Sequence, residues 1–490
     1  MTARKKLAGI LFSSLAILVI LAAVVVLRLT SRPSRPNVLW ITMDSLRYDH
    51  LTCMGYERPT SPTIDALAEQ SVLFRQCIAQ SNYTNISVPS MVTGTYPTLL
   101  DVRTPLHDLD DLFVTLAEQL TEAGYASWAV LPDWPTGINQ GFERVEIPDS
   151  DTERRTRACL DFLRELDERP FFIWLYYWDP HAPYLPPEEF ADRFGVEQDT
   201  PPVPAGAQVS AEDLARWRQS TQRRRGWEMM KTMVKINEGN AAPEEGYREQ
   251  LIDSYDAEIA YVDDRLGQVL DAIRGLGLWD RTMVILNADH GEGFGEHGLF
   301  FHGYGLYEEE VRVPLIIKPP RSLSSPRTIE TAVRNLDIMA TVLDYCRQPV
   351  PGEINGRSLR AGMEGGRLED LPAAMESNTP EKGVHLAGYR RGGFKVIYRR
   401  GEPAELFHLV ADPLERVNLL AAAAGDTGSG VEPGAAGTAR ADADRIERRL
   451  RQALLAVYDV DRVEDLLYTY RRRDVDPENL EKLRALGYIY

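Results

Sequence analysis

The sequence predicts a layered α/β protein, with a central sheet flanked by helices and a smaller α+β subdomain after it. Continuous runs of β-branched, aliphatic and aromatic residues recur along its first 350 positions, as strands buried on both faces require. Amphipathic segments of helical spacing alternate with them. At 490 residues the chain exceeds one ordinary domain, and its 44% apolar content supports a sizeable core.

In chain order, residues 1–6 read as an N-terminal tail. Leu7 to Leu27 are 21 consecutive positions without a charge, long enough at ~1.5 Å per residue to span a hydrocarbon core of ~30 Å. Arg4, Lys5 and Lys6 precede this run and Arg28, Arg32 and Arg35 follow it, so charge alone sets no orientation. No small-x-small cleavage site stands clear before the basic flank. The sequence therefore predicts a transmembrane anchor over 7–27, a single-pass protein partnered with the membrane, and an extracytoplasmic catalytic body. Residues 28–36 form a Pro/Arg linker.

The main domain is placed at 37–350. Its strand candidates are Val38 to Met43, Phe171 to Trp178 and Met283 to Leu286, with a helix over Ile252 to Ile273 stopped by Gly275 and Gly277. Residues 188–250 are polar and predict an irregular insertion beside the site. A smaller unit follows at 351–419, with strands at Gly393 to Tyr398 and Glu405 to Leu409. Residues 420–440, rich in Gly and Ala, predict a linker, and 441–490 a charged helical tail.

The net charge of -18 lacks the basic footprint of a nucleic-acid binder. Arg223, Arg224 and Arg225 read as a solvated helix face. Cys53, Cys77, Cys159 and Cys346 are widely spaced and define no disulfide scaffold. The sequence sets no oligomeric state.

The chemistry concentrates where strands end. The Met283 run stops at Asp289 and His290, and the Val38 run stops at Asp44. Carboxylates and an imidazole in the crevice at neighbouring strand ends make one metal site. Burying such a carboxylate unpaired costs several kcal/mol, which a cation removes. Gly293 to Gly298 matches GxGxxG but follows Asp-His-Gly-Glu, so it reads as a loop wrapping a polar site and not as a dinucleotide fold. The hydroxyl-rich stretch Ser81 to Ser90 enters a short helix, and a hydroxyl at such a start meets backbone N–H groups that attract anions. A bound divalent cation would lower the pKa of Thr84 and make it the nucleophile; the alternative is an ordinary Ser/Thr cap. There is no GxSxG elbow and no HExxH helix.

Asn37 to His50, Gly55 to Pro62, Asp179 to Tyr184, Asn287 to Gly298, His302-Gly303, Tyr307 to Pro314, Glu405 to Pro413 and Asn418-Leu419 together resemble the sulfatase group of the alkaline-phosphatase-like superfamily. The resemblance covers roughly residues 37–419 and the closing Leu483 to Tyr488. It implies a mixed central sheet and a hydrolase. It also implies Asp44, Thr84, Asp289 and His290 as metal ligands and Thr84, His181 and His302 as catalytic residues. Arg47, Asp179 and His297 are expected to support them. Ser45 stands where many sulfatases carry a second Asp, and His290 where calcium-type members carry Asn. Imidazole suits Mn2+ or Zn2+ better than Ca2+ or Mg2+.

Formylglycine sulfatases carry Cys-x-Pro-Ser-Arg with the Cys ten residues before a Thr-Gly glycine. Ten back from Gly94 is Thr84; a competing register over Ser87 to Met91 makes Ser87 the alternative nucleophile. Threonine cannot become formylglycine, because its β-carbon already carries a methyl. Its ester must be resolved at phosphorus or sulfur, so the first expectation is a metal-dependent hydrolase of phosphate or phosphonate esters, including lipid or envelope headgroups. The alternatives are a sulfatase with a hydroxyl nucleophile, a headgroup transferase, and an inactive binding protein.

Overall fold

The computed structural model describes residues 35–105, 107–133, 137–148, 151–196, 224, 226–321, 327–422 and 433–467. The proposed anchor at 7–27, most of its flanking tail and linker, and Leu483 to Tyr488 lie outside these residues. Among the described residues no helix is long and apolar enough to cross a membrane. This corrects the expectation of a single-pass protein with a membrane partner and an extracytoplasmic body. The two longest described helices, Tyr247–Gly275 and Pro433–Tyr458, have 29 and 26 residues. They carry acids and arginines along their length, Asp253, Asp256, Glu258 and Asp263 in the first, and hydrocarbon would leave those charges unsolvated.

The central sheet is built from β1 (Asn37–Met43), β2 (Val72–Ile78), β3 (Ala126–Val130), β4 (Arg144–Glu146) and β5 (Phe171–Tyr177), then β6 (Thr282–Ala288). A two-stranded ribbon follows, β7 (Gly293–Phe294) and β8 (Phe300–Phe301). The sheet then takes in β9 (Arg312–Lys318), β10 (Arg327–Ile329) and β11 (Val333–Arg334). Its order is β10-β2-β9-β6-β1-β5-β3-β4, with β11 also on β2. β1 is parallel to both β5 and β6, whereas β9 is antiparallel to β2 and β6. The sheet is therefore mixed, and helices flank it as an α/β fold requires.

The continuous apolar runs became the central strands because both faces are covered: every residue of β1, β5 and β6 is buried. Trp40 stacks on Trp174 at 4.9 Å across β1 and β5. A polar ladder crosses the same layer. The Trp174 indole N–H donates to the Thr42 hydroxyl at 3.0 Å, and Thr42 and the Trp40 indole donate to Asn287 Oδ1 at 3.0 and 2.9 Å. Three strands are thereby locked in one register, since a slip of one residue would leave these buried donors without acceptors.

The smaller unit is a four-stranded antiparallel sheet of β12 (Ala373–Thr379), β13 (Val384–Arg391), β14 (Phe394–Arg399) and β15 (Glu405–His408). Tyr389, Val396 and Leu406 on this sheet share a core with Leu450, Leu454 and Tyr458 of the helix Pro433–Tyr458. That helix reaches back into the Gly/Ala-rich stretch expected to be a linker, with Pro433 at a first-turn position that tolerates proline and alanines that favour helix. The described parts of 188–250 also depart from the expected irregular insertion. Glu188–Phe194 is helical, with an Arg193 to Glu189 ion pair at 3.0 Å one turn apart. Residues 226–237 are helical too, with Met230 and Met233 buried.

Asn287→Leu removes the acceptor at the end of the ladder. It is expected to lower the unfolding free energy by about 2–4 kcal/mol, read from urea denaturation.

Candidate metal centre and active site

β1 and β6 run level, with Met43 opposite Ala288, so the next residues, Asp44 and Asp289, leave adjacent strand tips side by side. His290 follows Asp289. All three side chains are fully buried, and a donor atom from each lies within 4.8 Å of the others. His290 Nε2 stands 3.4 Å from Asp289 Oδ2 and 3.8 Å from Asp44 Oδ1. Its Nδ1 donates to the Gly291 carbonyl at 2.8 Å. A carbonyl can only accept, so Nδ1 carries the proton and Nε2 turns a lone pair toward the carboxylates.

Ser45, at φ +58°, braces both acids. Its backbone N–H donates to Asp289 Oδ1 at 3.2 Å and its hydroxyl to Asp44 Oδ1 at 3.0 Å. The His290 N–H adds a 2.9 Å bond to Asp289 Oδ1. Asp44 Oδ2 and Asp289 Oδ2 remain buried with no hydrogen-bond partner. Burial, and then the neighbouring Asp289, hold the Asp44 carboxyl well above the usual carboxylate range. Two hard oxygens and one imidazole nitrogen at these separations suit a divalent cation with bonds of about 2.0–2.2 Å. Asp44, Asp289 and His290 are thus a buried triad able to hold a divalent metal.

Thr84 opens the helix Thr84–Thr93, and its Oγ1 lies 3.0 Å from His290 Nε2. Ser87, one turn later, donates its hydroxyl to the Asp289 carbonyl at 2.7 Å. Ser87 therefore fastens the helix to the strand tip, while Thr84 Oγ1 meets the triad. The glycine loop fits the expected close wrap: a Cβ at Gly291 would stand 2.0 Å from the Glu309 carbonyl oxygen.

His302 and His181 complete the pocket. The His302 ring centre is 4.3 Å from that of His290 and 4.9 Å from that of His181. His302 Nδ1 pairs with Glu292 Oε1 at 3.2 Å, and Glu292 Oε2 accepts the Tyr184 hydroxyl at 2.8 Å. His302 Nε2 is buried with no hydrogen-bond partner. Burial, reinforced by His290, depresses the proton affinity of both rings, His181 to about 3. Burial pushes the Glu292 carboxyl well upward.

Asp44, Thr84, Asp289, His290, His181 and His302 thus meet in one place. The three residues expected to support them lie around this cluster and not in it. Arg47 forks onto Asp49 at 2.9 and 2.7 Å and reaches Glu296 at 2.6 Å and the Glu292 carbonyl at 3.0 Å, so it shapes the glycine loop. Asp179 accepts the Thr152 hydroxyl at 2.7 Å, and burial raises its carboxyl to about 6. His297 pairs with Glu309 at 2.6 Å, touches the Glu415 carbonyl at 3.2 Å and stacks on Tyr307 at 3.7 Å. Residues given no site role from sequence also build the site: Ser45, Glu292, Tyr184 and Asn335. Asn335 Nδ2 donates to the Ala288 carbonyl at 2.8 Å beneath the Asp289 turn. Glu292 had a local signal, an acid two residues after His290, and Tyr184 closes the Asp179 to Tyr184 motif; Asn335 had none.

The fold and site define an alkaline-phosphatase-like hydrolase scaffold. The Sulfatase family matches residues 36–347, and the family of the C-terminal part of N-sulphoglucosamine sulphohydrolase matches 295–427. The chain belongs to the sulfatase family of hydrolases, in a form with no cysteine between Ser81 and Gly94 from which formylglycine could be made.

Over 297 residues it is 28% identical to the multifunctional alkaline phosphatase superfamily protein PehA of Trinickia caryophylli, covering 56% of each chain. It is 24% identical over 439 residues to choline-sulfatase of Rhizobium meliloti, covering 79% of this chain and 82% of that one. It is 26% identical to human iduronate 2-sulfatase, with 61% and 63% covered. The matches thus span just over half of PehA and most of choline-sulfatase. In fold it resembles the phosphonate monoester hydrolase of Agrobacterium radiobacter, with TM-score 0.66, 21% identity and 86% and 96% of the chains covered. It also resembles a protein solved with its substrate D-glucosamine-2-N,6-O-disulfate, with TM-score 0.68, 20% identity and 87% and 98% covered.

Asp289→Asn keeps the side chain's shape and removes its charge. Affinity for Mn2+ or Zn2+ is expected to fall by about 10–100-fold, measured by calorimetric titration of the full chain. His297 gives a pH signature. Burial opposes its charge, but the Glu309 carboxylate outweighs burial and raises its pKa from 6.5 to about 9. A folded pKa above the unfolded one contributes stability fully below pH 6.5, lost as pH rises through 9. Melting temperature should fall across that window in the parent protein and fall less in His297→Gln.

Proposed function

We propose that this protein is a metal-dependent hydrolase of anionic esters with Thr84 Oγ1 as the attacking atom. The observation that carries the reading is the 3.0 Å approach of Thr84 Oγ1 to His290 Nε2, beside two carboxylate oxygens with no protein partner. Mn2+ or Zn2+ is the proposed metal, on the strength of the imidazole in the donor set.

When bound, the cation lowers the pKa of the hydroxyl and offsets charge on the ester. The chain's own residues do the rest. Asp44, Asp289 and His290 fix the donors. Thr84 Oγ1 loses its proton and bonds to sulfur or phosphorus as the bond to the leaving oxygen breaks, and that oxygen takes up a proton. His181 and His302, held neutral by burial, are placed to receive and return it. Water then attacks the Thr84 ester at sulfur or phosphorus, restoring the hydroxyl and releasing sulfate, or the phosphate or phosphonate with its remaining substituent.

For the ester itself, sulfate comes first. The family matches and the relatives named for choline, iduronate and glucosamine sulfates support it. This reverses the order expected from sequence alone. Phosphate or phosphonate esters are the second reading, favoured by the threonine and by the likeness to PehA and to phosphonate monoester hydrolases. The headgroup transferase has no observation at the site that favours it over hydrolysis. An inactive protein is hard to reconcile with six reactive side chains converging in one buried pocket.

The full-length protein supplied with Mn2+ or Zn2+ is expected to turn over 4-nitrophenyl sulfate faster than bis(4-nitrophenyl) phosphate; the reverse order selects the second reading. Thr84→Ala should lower kcat by about 10³-fold or more, while Ser87→Ala retains turnover. An active Thr84→Ala beside a dead Ser87→Ala would refute the assignment of the nucleophile.

A further inference from the structure

We propose that Glu310 is a positioning residue, holding the three segments that carry Thr84, His290 and His302 at fixed distances from one another. The inference rests on the anionic-ester reading above.

The reactive groups come from separate stretches of chain, and Glu310 touches a neighbour of each. It lies in the short helix Glu308–Val311 that leads into β9. Its carboxyl oxygen Oε2 accepts the Asn82 side-chain amide at 2.6 Å and the Gly303 N–H at 3.1 Å. Asn82 stands two residues before Thr84, and Gly303 directly follows His302. The Glu310 main-chain carbonyl accepts the Gly291 N–H at 2.8 Å, and Gly291 directly follows His290. One residue thus reaches all three segments, two through its side chain and one through its backbone.

The packing leaves this tie little slack. Glu310 and Asn82 are both buried. Asn82 also donates to the Gly305 carbonyl, so both hydrogens of its amide are engaged. A Cβ at Gly305 would stand 2.6 Å from Glu310 Oε1, and one at Gly303 would stand 2.8 Å from the Tyr83 ring. Glycine at these two positions lets the His302 loop close on the nucleophile segment and on the acid together. The Tyr83 ring meets His302 edge-on at 5.7 Å, so Oε2 pins the two segments where they touch. Burial, and then Glu309, push the Glu310 carboxyl up to about 8, which suits a group that serves as an acceptor and not as an ion. Alignment is what such a tie protects, because a misplacement of about 1 Å between reacting groups costs up to about 10²-fold in rate.

Glu310→Gln sets an amide oxygen where Oε2 stands and keeps both donors satisfied. Glu310→Asp withdraws that oxygen by one C–C bond, about 1.5 Å. In the full-length, Mn2+-supplied protein, Glu310→Asp should lower kcat for a nitrophenyl ester by about 10–100-fold, with KM within about threefold of the parent. Glu310→Gln should keep kcat within about threefold. Asn82→Ser breaks the same tie from its other end and should show the same split as Glu310→Asp. Calorimetric titration with Mn2+ should give parent-like affinity in all three variants, since the link to Gly291 runs through the main chain. Hydrogen–deuterium exchange at Gly303 should be faster in Glu310→Asp and parent-like in Glu310→Gln.

Parent-like kcat in Glu310→Asp or in Asn82→Ser overturns the proposal. So does a Glu310→Gln as slow as Glu310→Asp, since charge and not the acceptor would then be responsible. A Mn2+ affinity that falls in step with kcat also overturns it, because the site as a whole would have given way. Faster exchange at Gly303 in Glu310→Asp of a protein that cleaves no ester leaves the tie standing and removes the hydrolase reading; unchanged exchange there overturns the tie itself.

Discussion

The level register of β1 and β6 forces Asp44 and Asp289 together at the centre of the sheet, and the rest of the molecule is arranged around that contact. Two carboxylates with unpartnered oxygens in a buried crevice repel each other and resist desolvation. A fold tolerates such a cluster only where its surroundings over-determine it. The Trp174–Thr42–Asn287 ladder prevents strand slip. Asn335 holds the Ala288 carbonyl from one side, and Ser87 holds the Asp289 carbonyl from the other. Ser45 donates to both carboxylates and adds no third negative charge.

The same contact explains the tie between the two sheets. The glycine loop leaving Asp289 must return to β9, and Glu308 on that return is buried against Arg390 at 2.9 Å and Lys395 at 3.2 Å, on β13 and β14. Lys395 also meets Glu415 at 2.8 Å. Breaking one partner of such a buried network strands a charge, so the smaller sheet is held at fixed distance from the loop. His297 belongs to this tie, through Glu309 and the Glu415 carbonyl.

What the sequence made legible follows from where the physics is local. Strands buried on both faces read as continuous apolar runs, and β1, β5 and β6 fall where those runs lie. An adjacent Asp-His at a strand tip is also a local signal, as is a threonine opening a short helix. The contacts of Arg47, Asp179 and His297 were not legible because their partners, Glu296, Thr152, Glu309 and Glu415, come from segments that no short window contains. The helices within 188–250 were hidden by their charge, since ion pairs one turn apart leave no apolar stripe to read. The membrane expectation rested on one run at 7–27, outside the described residues, and no described helix adds to it.

The proposed threonine nucleophile also sets what the imidazoles must do. A formylglycine hydrate can shed its sulfate by reforming an aldehyde, but a threonine ester has only attack by water at sulfur or phosphorus. Both halves of the reaction then move a proton between an attacking or leaving oxygen and the protein. A neutral imidazole serves each half, accepting in one direction and donating in the other. His302 and His181 are kept neutral by burial and by the nearness of His290, and the Glu292–Tyr184 pair fixes the His302 ring through Nδ1. The ring atom left facing the pocket is Nε2, buried and without a partner. That atom is placed to exchange a proton with the attacking or leaving oxygen, as the proposed threonine mechanism requires.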